Sequence, residues 1–189
     1  SRACYASAMS ARGRLAVRSA WFVAAALLGT GCDVGTKVWA ERTLTQMPGH
    51  TMRLVEPWLD LTLQYNPGTA FSFITDLGVA RVVLGVLSFL VVGVLLAFAV
   101  RGDRLQAVAL GVIAGGALGN AYDRVFRVGV IDFIQVNYPW GGSWPTFNVA
   151  DALVGVGAAL LILDAYRGQR PKPPEDASPP PAEQPQAPA

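Results

Sequence analysis

The chain has 189 residues, of which 52% are hydrophobic and only 15% charged. A formal net charge of +2 argues against nucleic acid or another polyanion as a partner. Two cysteines in unrelated contexts and a single histidine, His50, leave no disulfide framework, no metal-ligand spacing and no histidine-based catalytic centre, so no metal or cofactor is expected.

Apolar residues come in long blocks with the charges between them, which predicts one membrane domain over residues 15–167. Crossing the hydrocarbon takes roughly 20 apolar residues in a helix. Four stretches qualify: about 16–39, about 77–100, about 105–122 and about 149–166. The third and fourth are rich in small residues (Gly111, Gly115, Gly116, Gly119; Gly155, Gly157, Ala158, Ala159) and are expected to pack together, because small side chains let helices approach closely in lipid. The fold class expected is mainly α and integral to the membrane, with four transmembrane helices and a small β-sheet platform outside it.

Basic residues set the orientation. Arg12, Arg14 and Arg18 precede the first span, Arg101 and Arg104 follow the second, and Arg167, Arg170 and Lys172 follow the fourth. These groups share one side, which predicts cytoplasmic termini and periplasmic loops at 40–76 and 123–148. The outer loops also carry Arg42, Arg53, Arg124 and Arg127, so the bias is not overwhelming. In the first outer loop, Leu59-Asp60-Leu61-Thr62-Leu63-Gln64-Tyr65 alternates apolar and polar residues and reads as part of a sheet. Trp58, Tyr138, Trp140 and Trp144 stand where interfacial aromatics belong. Residues 1–14 read as an unstructured lead, and the Pro-rich 168–189 as a disordered cytoplasmic tail.

Arginines followed by an apolar run and Leu28-Gly29-Thr30-Gly31-Cys32 imitate a lipoprotein signal that ends in a modifiable cysteine. Three further spans and the unsuitable Gly29 weigh against that reading.

Ionisable groups in or beside spans are costly and therefore informative. Asp33, Lys37, Asn66, Asn120, Asp123, Arg124, Asp132, Asn148 and Asp151 all fall near the outer ends of the predicted spans. Polar groups converging from several segments on one face are the pattern of an active site. Structural explanations exist for most of them. Asp33 and Lys37 are spaced to pair along one helix face. Asn148 can cap the fourth helix, with Asp151 in its first turn. Asp123 and Arg124 can form an ion pair at the end of the third. Asp132, set between Val130-Ile131 and Phe133-Ile134, has no such explanation.

Two carboxyl groups held close together share a proton, because both cannot ionise cheaply. The ionised member can take a proton from water while the protonated member donates to a carbonyl oxygen. That is amide hydrolysis without a covalent intermediate. Ser72, Ser88 and Ser143 lack a base, and Cys32 has no histidine near it in sequence. Asp132 is preferred over Asp123 as the first carboxylate, since an apolar setting raises its pKa whereas Asp123 has Arg124 beside it.

Five motifs occur in order: Asp33-Val34-Gly35-Thr36-Lys37; Asn66-Pro67-Gly68-Thr69-Ala70-Phe71; Gly115-Gly116-Ala117-Leu118-Gly119-Asn120-Ala121-Tyr122-Asp123-Arg124; Val130-Ile131-Asp132-Phe133; and Phe147-Asn148-Val149-Ala150-Asp151. Together, over about residues 15–167, the chain resembles the lipoprotein signal peptidases, the type II signal peptidases of bacteria. The resemblance implies a four-helix inner-membrane aspartyl endopeptidase that cuts prolipoproteins before a diacylglyceryl-modified cysteine. It implies a catalytic pair at Asp132 and Asp151, with Asp33, Lys37, Asn66, Asn120, Asp123, Arg124 and Asn148 lining or supporting the site. It also implies inhibition by globomycin. Membrane lipid is the other expected partner, and a monomer the expected state. The alternative is a small transporter or channel component that uses the same polar cluster as an ion path, which predicts polar residues spread through the depth of the spans.

Overall fold

The computed structural model describes residues 2–67 and 77–168. The elements are α1 (Arg2–Leu44), a single 3₁₀ turn (Pro48–His50), β1 (Thr51–Val55), β2 (Leu59–Asn66), α2 (Leu77–Ala99), α3 (Arg104–Phe126), β3 (Val130–Val136) and α4 (Val149–Gly168). Within these, Arg12–Leu44, Arg104–Phe126 and Val149–Arg167 are long and apolar enough to cross a bilayer. The 23 residues of α2 reach about 35 Å at 1.5 Å per residue, also enough to span. Leu27, Leu28, Phe89, Leu90, Phe98 and Ile162 are each more than half exposed, as expected of helices that face lipid rather than water.

α3 is the central helix. Half of its apolar window is buried within the protein, against 17% for α1 and 11% for α4. Its N-terminus is set by a capping box, in which Asp103 accepts from the Gln106 N–H at 2.9 Å and Gln106 accepts from the Asp103 N–H at 3.3 Å. Its glycines work as contact points on two sides. A Cβ at Gly111 would stand 2.5 Å from the Phe22 carbonyl oxygen of α1, and one at Gly116 would stand 2.4 Å from the Ala150 oxygen of α4. The expected α3–α4 packing is present, and α3 packs against α1 as well. Phe22, Ala26, Ala99, Ala107 and Ala114 fill the core among α1, α2 and α3.

The sheet is antiparallel with order β1-β2-β3. β3 aligns Asp132 with Gln64, Ile131 with Tyr65 and Val130 with Asn66. Ile131 and Phe133 pack with Ala40 and Leu44 at the end of α1 and with Leu61 of β2. The two-residue period of a strand therefore turns Asp132 to the opposite face.

Three expectations change. Residues 2–14, expected to be an unstructured lead, are helical as the start of α1; Ala, Arg and Met are strong helix formers, and a helix already nucleated in the apolar segment propagates into them. The first connecting segment, expected from residue 40, begins after Leu44, because Ala40 and Leu44 are completely buried beneath the sheet and hold the last turn of α1. α3 continues to Phe126, so the segment that follows it starts four residues later than the expected 123. The tail beyond 168 and the second motif beyond Pro67 lie outside the described residues.

Candidate active site

Lys37 is fully buried, and its ammonium group sits among three acceptors: Asp33 Oδ2 at 2.7 Å, Asp123 Oδ2 at 3.0 Å and Asn120 Oδ1 at 2.7 Å. Asp33 and Lys37 are one helical turn apart, so the first pair is local to α1. The others cross to α3. Each buried carboxylate carries the connection further. Asp33 Oδ1 accepts the Ala150 N–H at the start of α4 (2.8 Å), and Asp123 Oδ2 accepts the Ile131 N–H of β3 (3.1 Å). One buried cation thus fixes the mutual positions of α1, α3, α4 and β3. A buried charge is tolerable only with this degree of pairing and hydrogen bonding. Gly119 makes room for it, since a Cβ there would lie 2.2 Å from Asp33 Oδ2.

Asn148 joins this frame to two further carboxylates. Its Nδ2 donates to Asp132 Oδ1 at 2.6 Å and to Asn120 Oδ1 at 3.2 Å. Its backbone N–H donates to Asp151 Oδ2 at 3.2 Å, and its Oδ1 accepts the Asp151 N–H at 3.1 Å. This reciprocal pair is a cap on α4, as the sequence allowed. The cap also holds the Asp151 carboxylate on the residue that grips Asp132. Asn120 Nδ2 donates to Asp151 Oδ1 at 2.9 Å, and Asn66 Nδ2 donates to Asp132 Oδ2 at 3.2 Å. Burial pushes the Asp132 carboxyl above its ordinary value. The Asn66 and Asn148 amides and Lys37 oppose the shift, and the Asp151 charge reinforces it. Asp132 opens into a cleft of about 440 Å³ lined by Gln64, Tyr65, Asn66, Trp144, Pro145 and Thr146 among others. Asp151 is exposed.

A family model described as signal peptidase (SPase) II matches residues 25–167. The chain belongs to the signal peptidase II family. It is 35% identical over 150 residues to the lipoprotein signal peptidase of Cellvibrio japonicus, covering 77% of this chain and 85% of that one. It is 36% identical over 159 residues to that of Pseudomonas syringae pv. tomato, covering 81% and 89%. Two solved structures described as bacterial membrane enzymes share its fold at 25% identity. One superposes with a TM-score of 0.64 over 76% of this chain and 91% of that one, the other with 0.66 over 82% and 93%. The protein is a bacterial membrane peptidase that removes signal peptides from prolipoproteins. The transporter alternative has no support from these relatives.

Of the residues read from the sequence, Asp33, Lys37, Asn66, Asn120, Asp123, Asp132, Asn148 and Asp151 form one connected network. Arg124 does not join it. The expected Asp123–Arg124 ion pair is absent, because consecutive helical residues point about 100° apart. Asp123 is held instead by Lys37 and by Arg127, one turn on, whose Nε lies 3.0 Å from Asp123 Oδ1. Arg127 also pairs with Glu41 of α1, and Glu41 accepts the Tyr65 hydroxyl at 2.8 Å. Glu41, Tyr65 and Arg127 therefore latch α1, the end of α3 and β2 together beside the cleft. The sequence reading missed all three. Only the Asp123/Arg127 spacing was there to be seen.

Near Cys32, α1 is continuous helix and the thiol is exposed. That is no setting for a cleavage site, which needs extended chain.

Proposed function

We propose that this signal peptidase II is an aspartyl endopeptidase whose catalytic pair is Asp132 and Asp151. The observation that carries the proposal is the double engagement of Asn148, whose side chain binds one carboxylate and whose backbone N–H binds the other. Two carboxyl groups drawn together on one residue can share a proton. Asp132, pushed toward its protonated form by burial, donates to the scissile carbonyl oxygen. Asp151, open to solvent, takes a proton from the attacking water. The hydroxyl adds to the carbonyl carbon and gives a tetrahedral diol. As the C–N bond breaks, the proton on Asp151 passes to the leaving amine, and a diol hydroxyl returns its proton to Asp132 as the new carboxyl group forms.

Asn66, Asn120 and Asn148 orient the pair, while Asp33, Lys37 and Asp123 form the rigid frame behind it. Arg124, partly exposed at the end of α3, keeps its assignment as a supporting residue through the family motif. The scissile bond is the one before a diacylglyceryl-modified cysteine. The substrate's apolar helix enters from lipid with its acyl chains left in the bilayer. The segment at residues 137–144 acts as the lid. Its Asn137–Ser143 bridge, the positive φ of Gly141 and Gly142 (99° and 84°), the stacked Tyr138–Trp140 pair and the exposed Trp140 suit a flap that touches the membrane surface. The arginines at the opposite ends of the helices support an orientation with the termini in the cytoplasm and the carboxylate pair at the outer face.

The test is incubation of the purified chain with a lipidated prolipoprotein and with its unlipidated form, each with and without globomycin. Cleavage of the lipidated form alone, stopped by globomycin, is the expected result. Equal cleavage of the unlipidated form would refute the substrate assignment, and cleavage untouched by globomycin would refute the inhibitor assignment.

A further inference from the structure

A second cluster of charge stands at the other end of the bundle. Gly13, Arg14, Val17, Arg18, Asp103 and Arg104 line a cavity of about 340 Å³ between α1 and the start of α3. Arg14 and Arg18 are one turn apart and share a face of α1. Arg18 is anchored, since its Nη1 donates to the Val100 carbonyl at 3.1 Å, just past the end of α2. Among the described residues, Asp103 is the one anionic lining group, and its carboxylate is committed to the Gln106 N–H as a helix cap. Arg14, Arg18 and Arg104 bring three guanidinium groups to the lining of the hollow.

Depth along α1 points to what the hollow meets. Arg18 lies nineteen residues before Lys37, about 28 Å along a helix, which is close to the thickness of the hydrocarbon core. With the carboxylate cluster at one headgroup level, the arginine cavity falls at the other. Leu15, Val17 and Trp21 beside it are each more than two-fifths exposed and begin the apolar belt.

We propose that this cavity binds the phosphate of an anionic phospholipid headgroup in the leaflet opposite the carboxylate pair. Arg14, Arg18 and Arg104 supply the charge-assisted donors, and Val17 lies against the start of the acyl chains. Guanidinium groups suit phosphate through paired N–H donors. A zwitterionic headgroup would bring its own cation against the arginines and is disfavoured.

The test is native mass spectrometry of the full chain in detergent with equal amounts of phosphatidylglycerol and phosphatidylcholine. Phosphatidylglycerol should be retained preferentially. Arg14→Gln and Arg104→Gln should each weaken that preference about fivefold. Arg18 is left in place because it also anchors Val100. Arg53→Gln, at the opposite end of the protein, should leave the preference unchanged. Equal retention of the two lipids, or an unaltered preference in the Arg14→Gln/Arg104→Gln double variant, would overturn the proposal. Complete displacement of the lipid by millimolar inorganic phosphate would assign the cavity to a free anion and overturn it equally.

Discussion

Replacing Lys37 by methionine removes the one cation among the described residues that Asp33 touches. Asp123 keeps Arg127 and the Ile131 N–H, but Asp33, completely buried, retains among the described residues only the Ala150 N–H. Leaving a buried charge without its partner costs about 3–5 kcal/mol, a large part of a typical folding stability of about 5–15 kcal/mol. Asp33→Asn leaves Lys37 paired with Asp123 and preserves an acceptor for Ala150, so a loss of about 1–3 kcal/mol is expected. In the double variant no charge is stranded. Its loss should be smaller than that of Lys37→Met alone, which requires a coupling between the two sites larger than the Asp33→Asn loss, about 3 kcal/mol. Equilibrium unfolding of the four proteins in mixed micelles measures the cycle. Simple additivity of the two losses would show that Lys37 is not the cation on which Asp33 depends.

Gly116→Ala and Gly119→Ala place a methyl group against the Ala150 carbonyl and the Asp33 carboxylate and should each cost about 1–3 kcal/mol. Gly155→Ala, with nothing within 4 Å, should be neutral or slightly stabilising, and thermal unfolding in detergent separates the cases. Arg127→Gln should lose about 1–3 kcal/mol from its charged hydrogen bonds and lower cleavage by loosening β2 at the cleft. Arg127→Lys, which keeps the charge without the forked geometry, should recover only part in a side-by-side cleavage and unfolding assay. Burial raises Asp132 above its ordinary 3.8, so the folded chain holds that proton more tightly than the unfolded chain does. The stability this group contributes is complete below 3.8 and is lost as pH rises through the raised value. Activity that needs the proton falls on the same limb. Asn66→Ala removes a hydrogen bond that lowers this pKa, so the alkaline limb of kcat/KM should move to higher pH; an acid shift would contradict the assignment.

Charged and amide side chains interrupting apolar blocks made most of the candidate site's network legible from the amino-acid order alone. Asp33, Lys37, Asn120 and Asp151 each stand out because lipid-facing helices have little other use for them. The α4 cap was equally plain in Asn148 and Asp151. Contacts between distant segments were not. Val130–Val136 is too short an apolar run to identify by period, and its partner β2 lies across two intervening helices. The sheet was therefore expected in the first outer loop only, although β3 carries Asp132. Glu41, Tyr65 and Arg127 meet across separations of 24 and 86 residues, which no local pattern encodes. Arg124 drew attention as the neighbour of Asp123 in sequence, whereas helix geometry delivers Arg127.

Cleavage of a lipidated prolipoprotein by Asp132→Asn and by Asp151→Asn tests the catalytic pair most directly. Both substitutions keep an acceptor for the Asn148 contacts, so each variant should remain folded and inserted. With one carboxyl group gone, no proton can be shared, and turnover should fall by a factor of about 10³ or more in both. Cleavage near the wild-type rate by either variant would contradict the dyad.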